Sequence, residues 1–434
     1  MEDIKVKLKA MLADQGLMTG SEWKVKIEEL QRRREAGEFE IDKFVPGEVV
    51  SNAAGSFYLV RSDFPLEWPQ GRVELGAVLE VIPENIALAA CDSDLERFNP
   101  STALFLDTET SGIVGGTGTI AFLVGVGYLT EGKFRLEQCF LRDFDEETAM
   151  LHHLDPIFAR AESVVSYNGK TFDLPLLRTR YITNRMRSQL DCGVHLDLLH
   201  AARRFWKLRL GDCSLPNIER RVLGIERHND VPGEEIPQIW FDYLRTRDAR
   251  RLDRVFNHHR MDILSLVALT AWLSRCLELP EGEGFEHAED RLSLVRLHFR
   301  QRRFEDVARA AEKLLEVETE QNLRLECLQF MAFAWKRLQD FERMAEAWDL
   351  VLRESPRDLQ ARLELAKYYE HRMRDLPLAE RLCVETVSFL ETKSALGSDL
   401  EFDTWPLEHF QHRLDRIRRK LSRGHITQQA EDVP

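Results

Sequence analysis

Short apolar runs closed by glycine, proline or acidic turns fill the first part of the chain. Longer stretches with apolar positions every three or four residues fill the rest. The first pattern predicts strands and the second helices. Leu104-Phe105-Leu106 runs into Asp107-Thr108-Glu109-Thr110 and predicts a buried strand ending in two carboxylates. Ile120 to Leu129 predicts a second strand, and Phe134 to Leu141 a third after the turn Glu131-Gly132-Lys133. Three strands joined by short turns form an antiparallel meander. A helix is expected from about Glu146 to Ala161, then a strand from Ser163 running into a turn at Asn168-Gly169. A helix follows with Asp173 in its first turn, then a strand over Val194–Leu199. Helical periodicity covers Cys213 to Leu223, Ile236 to Leu244 and Ala249 to Cys276. The order predicts an α/β domain, a mixed sheet with helices packed on it, over about 101–279.

The flanks differ. Residues 1–34 are charged, with Ile4, Leu8, Met11 and Leu12, then Trp23, Ile27 and Leu30, at helical spacing. From Phe44 to Val81, prolines and glycines punctuate β-prone pieces such as Ser56-Phe57-Tyr58-Leu59-Val60. Residues 1–100 therefore read as two peripheral helices and a small β-rich leader. From Gly282 to about residue 425 the chain reads as all-helical. Phe304-Glu305-Asp306-Val307-Ala308 is echoed by Phe341-Glu342-Arg343-Met344-Ala345, and more weakly by Leu376-Pro377-Leu378-Ala379. The three alanines are 37 and 34 residues apart. This period resembles that of tetratricopeptide repeats, in which stacked helix pairs bury small residues. The end is basic, with Arg413, Arg416, Arg418, Arg419, Lys420 and Arg423. Such a run commonly marks a solvated helix face.

A chain of 434 residues with 44% hydrophobic residues can bury more than one core. No run of 18 apolar residues occurs, so no membrane span is expected. The opening Met1-Glu2-Asp3-Ile4-Lys5 lacks a secretory apolar core. Seven scattered cysteines without a C-x-x-C pair point to a reducing cytoplasm and away from a zinc site. The net charge of −14 argues against a protein that coats nucleic acid nonspecifically. Residues 151–278 nonetheless carry 20 Lys/Arg against 16 Asp/Glu, enough to engage phosphates locally.

Asp107 and Glu109, two apart on a strand, share one face. Carboxylates held that close repel unless a divalent cation relieves them. Asp173 follows the turn Asn168-Gly169-Lys170-Thr171-Phe172, and Asp262 opens the apolar helical run Ile263-Leu264-Ser265-Leu266. His258 lies four residues before Asp262, on the same helix face. Phosphodiester hydrolysis assisted by two Mg²⁺ ions needs these pieces, carboxylates to hold the metals and an imidazole as base. The glycines of Ser111–Thr119 precede a strand, not a helix. They read as a turn that keeps backbone clear of a substrate. Asp197 has two readings, a support behind a metal ligand or an ordinary strand residue.

Asp107-Thr108-Glu109, the segment Asn168 to Asp173, and Asp262 behind an imidazole resemble the three exonuclease motifs of the DEDD family, which is DnaQ-like with a ribonuclease H-like fold. The strings LFLDTETSGIVGGTGTIAFLVGVG, VSYNGKTFDLPLLRTRY, DVPGEEIPQIWFDYLR and HHRMDILSLVAL are similar to its YprB-like branch. The resemblance covers about 101–278. It implies a 3′-5′ exonuclease with two divalent cations, Mg²⁺ or Mn²⁺, held by Asp107, Glu109, Asp173 and Asp262, with Asp107 bridging. The family carries a tyrosine four residues before the last acid or a histidine five before it. Here those positions hold His258 and Asn257. His258 has the tyrosine's spacing and the histidine's chemistry, and His259 stands next to it as the alternative base. Thr110, Asn168, Phe172 and Arg178 are expected against single-stranded DNA or RNA, with Arg180, Arg185 and Arg187 near its phosphates. The helical repeats would bind a protein partner. A competing reading is a catalytically weak binding or adaptor protein that works through those repeats.

Overall fold

A computed structural model describes residues 29, 32–33, 36–112, 118–190, 193–279, 281–317, 320–395 and 405–431. The helices expected before residue 35 and the glycine-rich segment 113–117 lie outside them, apart from residues 29, 32 and 33. Two compact units emerge. One comprises Met1–Ala202 with Asp212–Arg275, the other Arg203–Gly211 with Cys276–Pro434.

The first unit is built on a seven-stranded mixed sheet. Its strands are β1 (Glu48–Asn52), β2 (Gly55–Pro65), β5 (Ala103–Thr110), β6 (Ala121–Thr130), β7 (Lys133–Phe140), β8 (Ser163–Ser166) and β9 (Val194–Asp197), while β3 (Pro69–Gln70) and β4 (Val73–Glu74) pair separately. The spatial order is β1-β2-β7-β6-β5-β8-β9. β5, β6 and β7 form the antiparallel meander that the apolar pattern predicts, and β8 and β9 add to β5 in parallel. The β-rich leader joins this sheet. β2 runs antiparallel to β7 from Tyr58↔Phe140 to Pro65↔Lys133. Its Phe57, Tyr58, Leu59 and Val60 are all buried. Four consecutive buried residues need cover on both sheet faces, which a detached hairpin lacks.

The helices up to residue 276 are α1 (Pro83–Ala90), α2 (Glu147–Phe158), α3 (Asp173–Thr183), α4 (Leu198–Leu210), α5 (Leu215–Ile218), α6 (Ile236–Thr246) and α7 (Leu252–Cys276), of which α4 passes into the second unit at Arg203. A π-helical turn, Glu219–Leu223, continues α5. α4 corrects the sequence reading, which ran the strand on to Leu199. The strand stops at Asp197, whose Oδ1 accepts from Leu199 N at 3.1 Å. That is an N-cap interaction, satisfying a helix donor that has no partner within the helix.

α7 lies flat on β6, and glycine makes this possible. A Cβ on Gly125 would press into Ile263 Cδ1 and His259 Cε1 and sit 2.8 Å from His259 Nε2. A Cβ on Gly127 would press into Phe134 and sit 2.9 Å from Ile263 Cγ2. No real side chain approaches so closely.

In the second unit α8 (Ala288–Arg300), α9 (Phe304–Leu315), α10 (Gln321–Arg337), α11 (Phe341–Glu354), α12 (Leu359–Tyr368), α13 (Leu376–Ala395) and α14 (Trp405–Glu431) each pack on the next in sequence. Ala308, Ala345 and Ala379 are all buried. The basic tail is not merely a solvated face. Arg413, Arg416 and Lys420 converge on Glu370, at 2.6, 2.6 and 2.7 Å, and the Glu370 side chain is fully buried. A carboxylate with no water needs these partners. Among the described residues no helix is long and apolar enough to cross a membrane. The described cysteines are all free thiols.

Candidate metal centre

Asp107 and Glu109 stand at the end of β5, where the pairing register with β6 shifts just after Glu109. Asp173 is the first residue of α3 and is buried, accepting a short hydrogen bond from the Thr108 hydroxyl. The turn before it is tightly specified. Asn168 has φ +69°, a left-handed conformation that asparagine tolerates better than most residues. Gly169 has no room for a side chain, since a Cβ would run into Ser166 and come within 3.1 Å of Asp173 Oδ2. Asp197 ties this turn from behind. Its Oδ1 accepts from Asn168 N at 2.8 Å and its Oδ2 from Lys170 N at 3.1 Å. Asp197 thus holds the backbone of the turn that precedes Asp173.

α7 brings in the last acid. One ligand atom each from Glu109, His258 and Asp262 lie within 4.8 Å of one another. His258 Nε2 is 3.3 Å from Asp262 Oδ2 and 4.0 Å from Glu109 Oε1. Its Nδ1 is 2.9 Å from Asp230 Oδ1 and 3.2 Å from Arg227 Nη1, so only one of the two is a hydrogen bond for a given tautomer. With the proton on Nδ1, His258 donates to Asp230 and turns a bare Nε2 toward the acids.

His259 is placed otherwise. It is fully buried, with Nε2 3.1 Å from the Asp107 carbonyl oxygen and Nδ1 3.0 Å from Gln138 Nε2. Burial brings its pKa down to about 4, so the ring is neutral at ordinary pH. A neutral ring that donates from Nε2 and accepts at Nδ1 satisfies both contacts. His259 therefore fixes the backbone of β5, and its Nε2 also lies 3.7 Å from Asp107 Oδ2.

The acids are held under strain. Burial, followed by the charges of Asp262 and Asp173, pushes the Asp107 and Glu109 carboxyls well above the usual range, and Arg227 opposes the shift. Burial raises Asp173 to about 6, against the opposing hydrogen bond from Thr108. Carboxylate oxygens suit a hard divalent cation such as Mg²⁺ or Mn²⁺. Glu109 and Asp262 converge on the Nε2 edge of His258. Asp107 and Asp173 line the cleft alongside.

That cleft, about 500 Å³, is lined by Asp107, Thr110, Asn168, Phe172 and Asp173 among others. Phe172 is half exposed there, a flat apolar surface beside the acids. Arg178 is exposed on α3 but does not line the cleft. Arg185 and Arg187 are also exposed. Arg180 is excluded from phosphate contact. It is buried and paired bidentately with Glu147, at 2.6 and 2.7 Å.

Sequence reasoning missed Arg227 and Asp230. Both lie in a segment that reads as a polar loop, although Asp230 opens the string DVPGEEIPQIWFDYLR. Arg227 pairs with Glu219, Asp230 and Asp262, and its side chain is 8% exposed. No local pattern marks it, because Glu219 and Asp262 reach it from two other elements.

A meander followed by parallel strands, helices on the sheet and acids gathered at the end of the first meander strand make this a ribonuclease H-like domain. Residues 104–274 match the model of a family described as the RNase_H superfamily, a fold commonly carried by nucleases. A protein of Bacillus subtilis (strain 168) with the printed name "Uncharacterized protein YprB" is 28% identical over 378 residues, covering 84% of this chain and 87% of that protein.

Proposed function

We propose that this protein is a metal-dependent nuclease of the 3′-5′ exonuclease type acting on single-stranded nucleic acid in the cytoplasm. The observation that carries it is the gathering of Glu109, His258 and Asp262 beside a cleft that also holds Asp107 and Asp173. Asp107, Glu109, Asp173 and Asp262 would hold two divalent cations, Mg²⁺ or Mn²⁺. Bound there, such ions polarise a phosphoryl oxygen and acidify water. The chain's own residues do the rest. Nε2 of His258 accepts a proton from the attacking water, while Asp230 holds the opposite edge of the ring. Phe172 offers a face on which a terminal base stacks, worth roughly 1–3 kcal/mol per base. Thr110 and Asn168 border the same space. Arg178, Arg185 and Arg187 attract the backbone from outside the cleft.

The second unit we read as tetratricopeptide-like repeats that present a partner or the substrate. A second reading keeps the nucleic-acid binding and the repeats but gives up turnover. The guanidinium of Arg227 on Asp262 favours it, since a ligand already paired is less available to a cation.

End-labelled single-stranded DNA and RNA, incubated with purified protein and Mn²⁺, Mg²⁺ or EDTA, test the proposal. Stepwise shortening from the 3′ end that EDTA and Asp107→Asn both abolish is expected. Binding without shortening, unchanged by Asp107→Asn, would select the second reading.

A further inference from the structure

Arg227 is a permanent cation built into an acidic cluster, and guanidinium does not give up its proton in proteins. Glu219 grips it from one side. Nε lies 2.5 Å from Glu219 Oε2 and Nη2 2.6 Å from Oε1, with the Glu219 side chain 1% exposed. Glu219 itself sits on the π-helical turn, an irregularity that often marks functional sites. From the other side Nη1 reaches Asp230 Oδ2 at 3.2 Å. Nη2 also donates to Asp262 Oδ1.

The fourth contact is the informative one. Glu219 alone already satisfies a bidentate arginine, so a pair placed only for stability would not need Asp262. Here the guanidinium takes one oxygen of the carboxylate whose other oxygen lies 3.3 Å from His258 Nε2. Asp262 is thus shared between the arginine and the position where Glu109 and His258 converge. Because Glu219 and Asp230 anchor the fork, it is held in place beside any ion that binds. A fixed positive charge repels a dication that uses the same carboxylate, and burial keeps that repulsion unscreened. It also gives Asp262 and its neighbours a partner when no ion is bound.

We propose that Arg227 sets the divalent-cation affinity of this centre, acting as a fixed internal cation that shares Asp262 with the metal and weakens its binding. The inference rests on the metal reading of the site.

Mn²⁺ titration of the metal-stripped full chain by calorimetry tests it without any nuclease assay. Arg227→Met should bind Mn²⁺ about tenfold tighter or more than the unaltered protein. Arg227→Lys, which keeps the charge, should stay near the unaltered value. Arg227→Met leaves the buried Glu219 without its counter-ion and with only Ser265, so the protein could fail to fold. The double variant Glu219→Gln/Arg227→Met removes that burden and should also bind tighter. Equal or weaker Mn²⁺ binding by a folded double variant overturns the proposal. Absence of Mn²⁺ binding by both the unaltered protein and Asp262→Asn would instead overturn the metal centre itself.

Discussion

Asp173→Asn should stabilise the metal-free protein, and only above pH 4. The carboxyl has its ordinary pKa of 3.8 when the chain is unfolded and about 6 in the fold, where burial disfavours the charged form. Below pH 4 both states hold the proton and Asp173 costs nothing. Between pH 4 and 6 the unfolded chain releases its proton first, so the native state binds more protons and stability falls as pH rises. Above pH 6 both states are ionised and the full cost is present. The difference between the two pKa values, at about 1.4 kcal/mol for each pH unit, comes to about 3 kcal/mol. Asparagine keeps an oxygen that accepts from Thr108 and carries no charge. Urea titrations in EDTA at pH 4 and pH 7.5, read by hydrogen exchange in peptides from β5 and α3, isolate this unit from the helical one. The variant should gain up to about 3 kcal/mol at pH 7.5 and almost nothing at pH 4. Adding Mn²⁺ should close the gap by stabilising the unaltered protein. A variant that is less stable at pH 7.5 in EDTA would show that Asp173 is held ionised by contacts beyond these, and the strained-acid account would fail.

His258→Ala should lower the cleavage rate by roughly 10²–10⁴-fold with Mn²⁺ affinity nearly intact, whereas His259→Ala should mainly cost stability, about 1–3 kcal/mol by denaturation, from the stranded Gln138 and Asp107 carbonyl. Equal rate losses from the two would remove the distinction between them. Arg180→Met should destabilise by about 3–5 kcal/mol because the buried Glu147 loses its counter-charge and keeps only the Asn184 amide. The slope of log affinity against log salt should flatten when Arg178, Arg185 and Arg187 are neutralised together, since exposed cations release bound counterions. A chain beginning at Ser101 should be insoluble or molten by near-UV circular dichroism, because it strips β2 from β7. A well-folded product would show that the sheet closes without the leader.

The sheet's central strands were legible because each apolar run is short and bounded by turn residues. The motif acids were legible because strand and helix periods place them. What escaped was non-local or unpunctuated. β2 reads as a strand, but nothing near Phe57 says that its partner is Phe140 and its neighbours. β9 and α4 adjoin without glycine, proline or a loop, and Asp197 both ends the strand and caps the helix. The separate surroundings of His258 and His259 follow from which elements they face, and adjacent residues on one helix carry no such label. Arg227 looked like any charged loop residue until Glu219, Asp230 and Asp262 were brought around it.

The two glycines of β6 act as a spacer of zero thickness. Their bare backbone sets how deep α7 lies, and that depth decides whether Asp262 and His258 reach Glu109. The tolerance of the centre is therefore recorded in positions that offer no ligand, no charge and no side chain. A single methyl group on Gly125 would lift the helix or displace His259 without altering any functional group. Loss of metal binding from such a change would be a defect of distance alone.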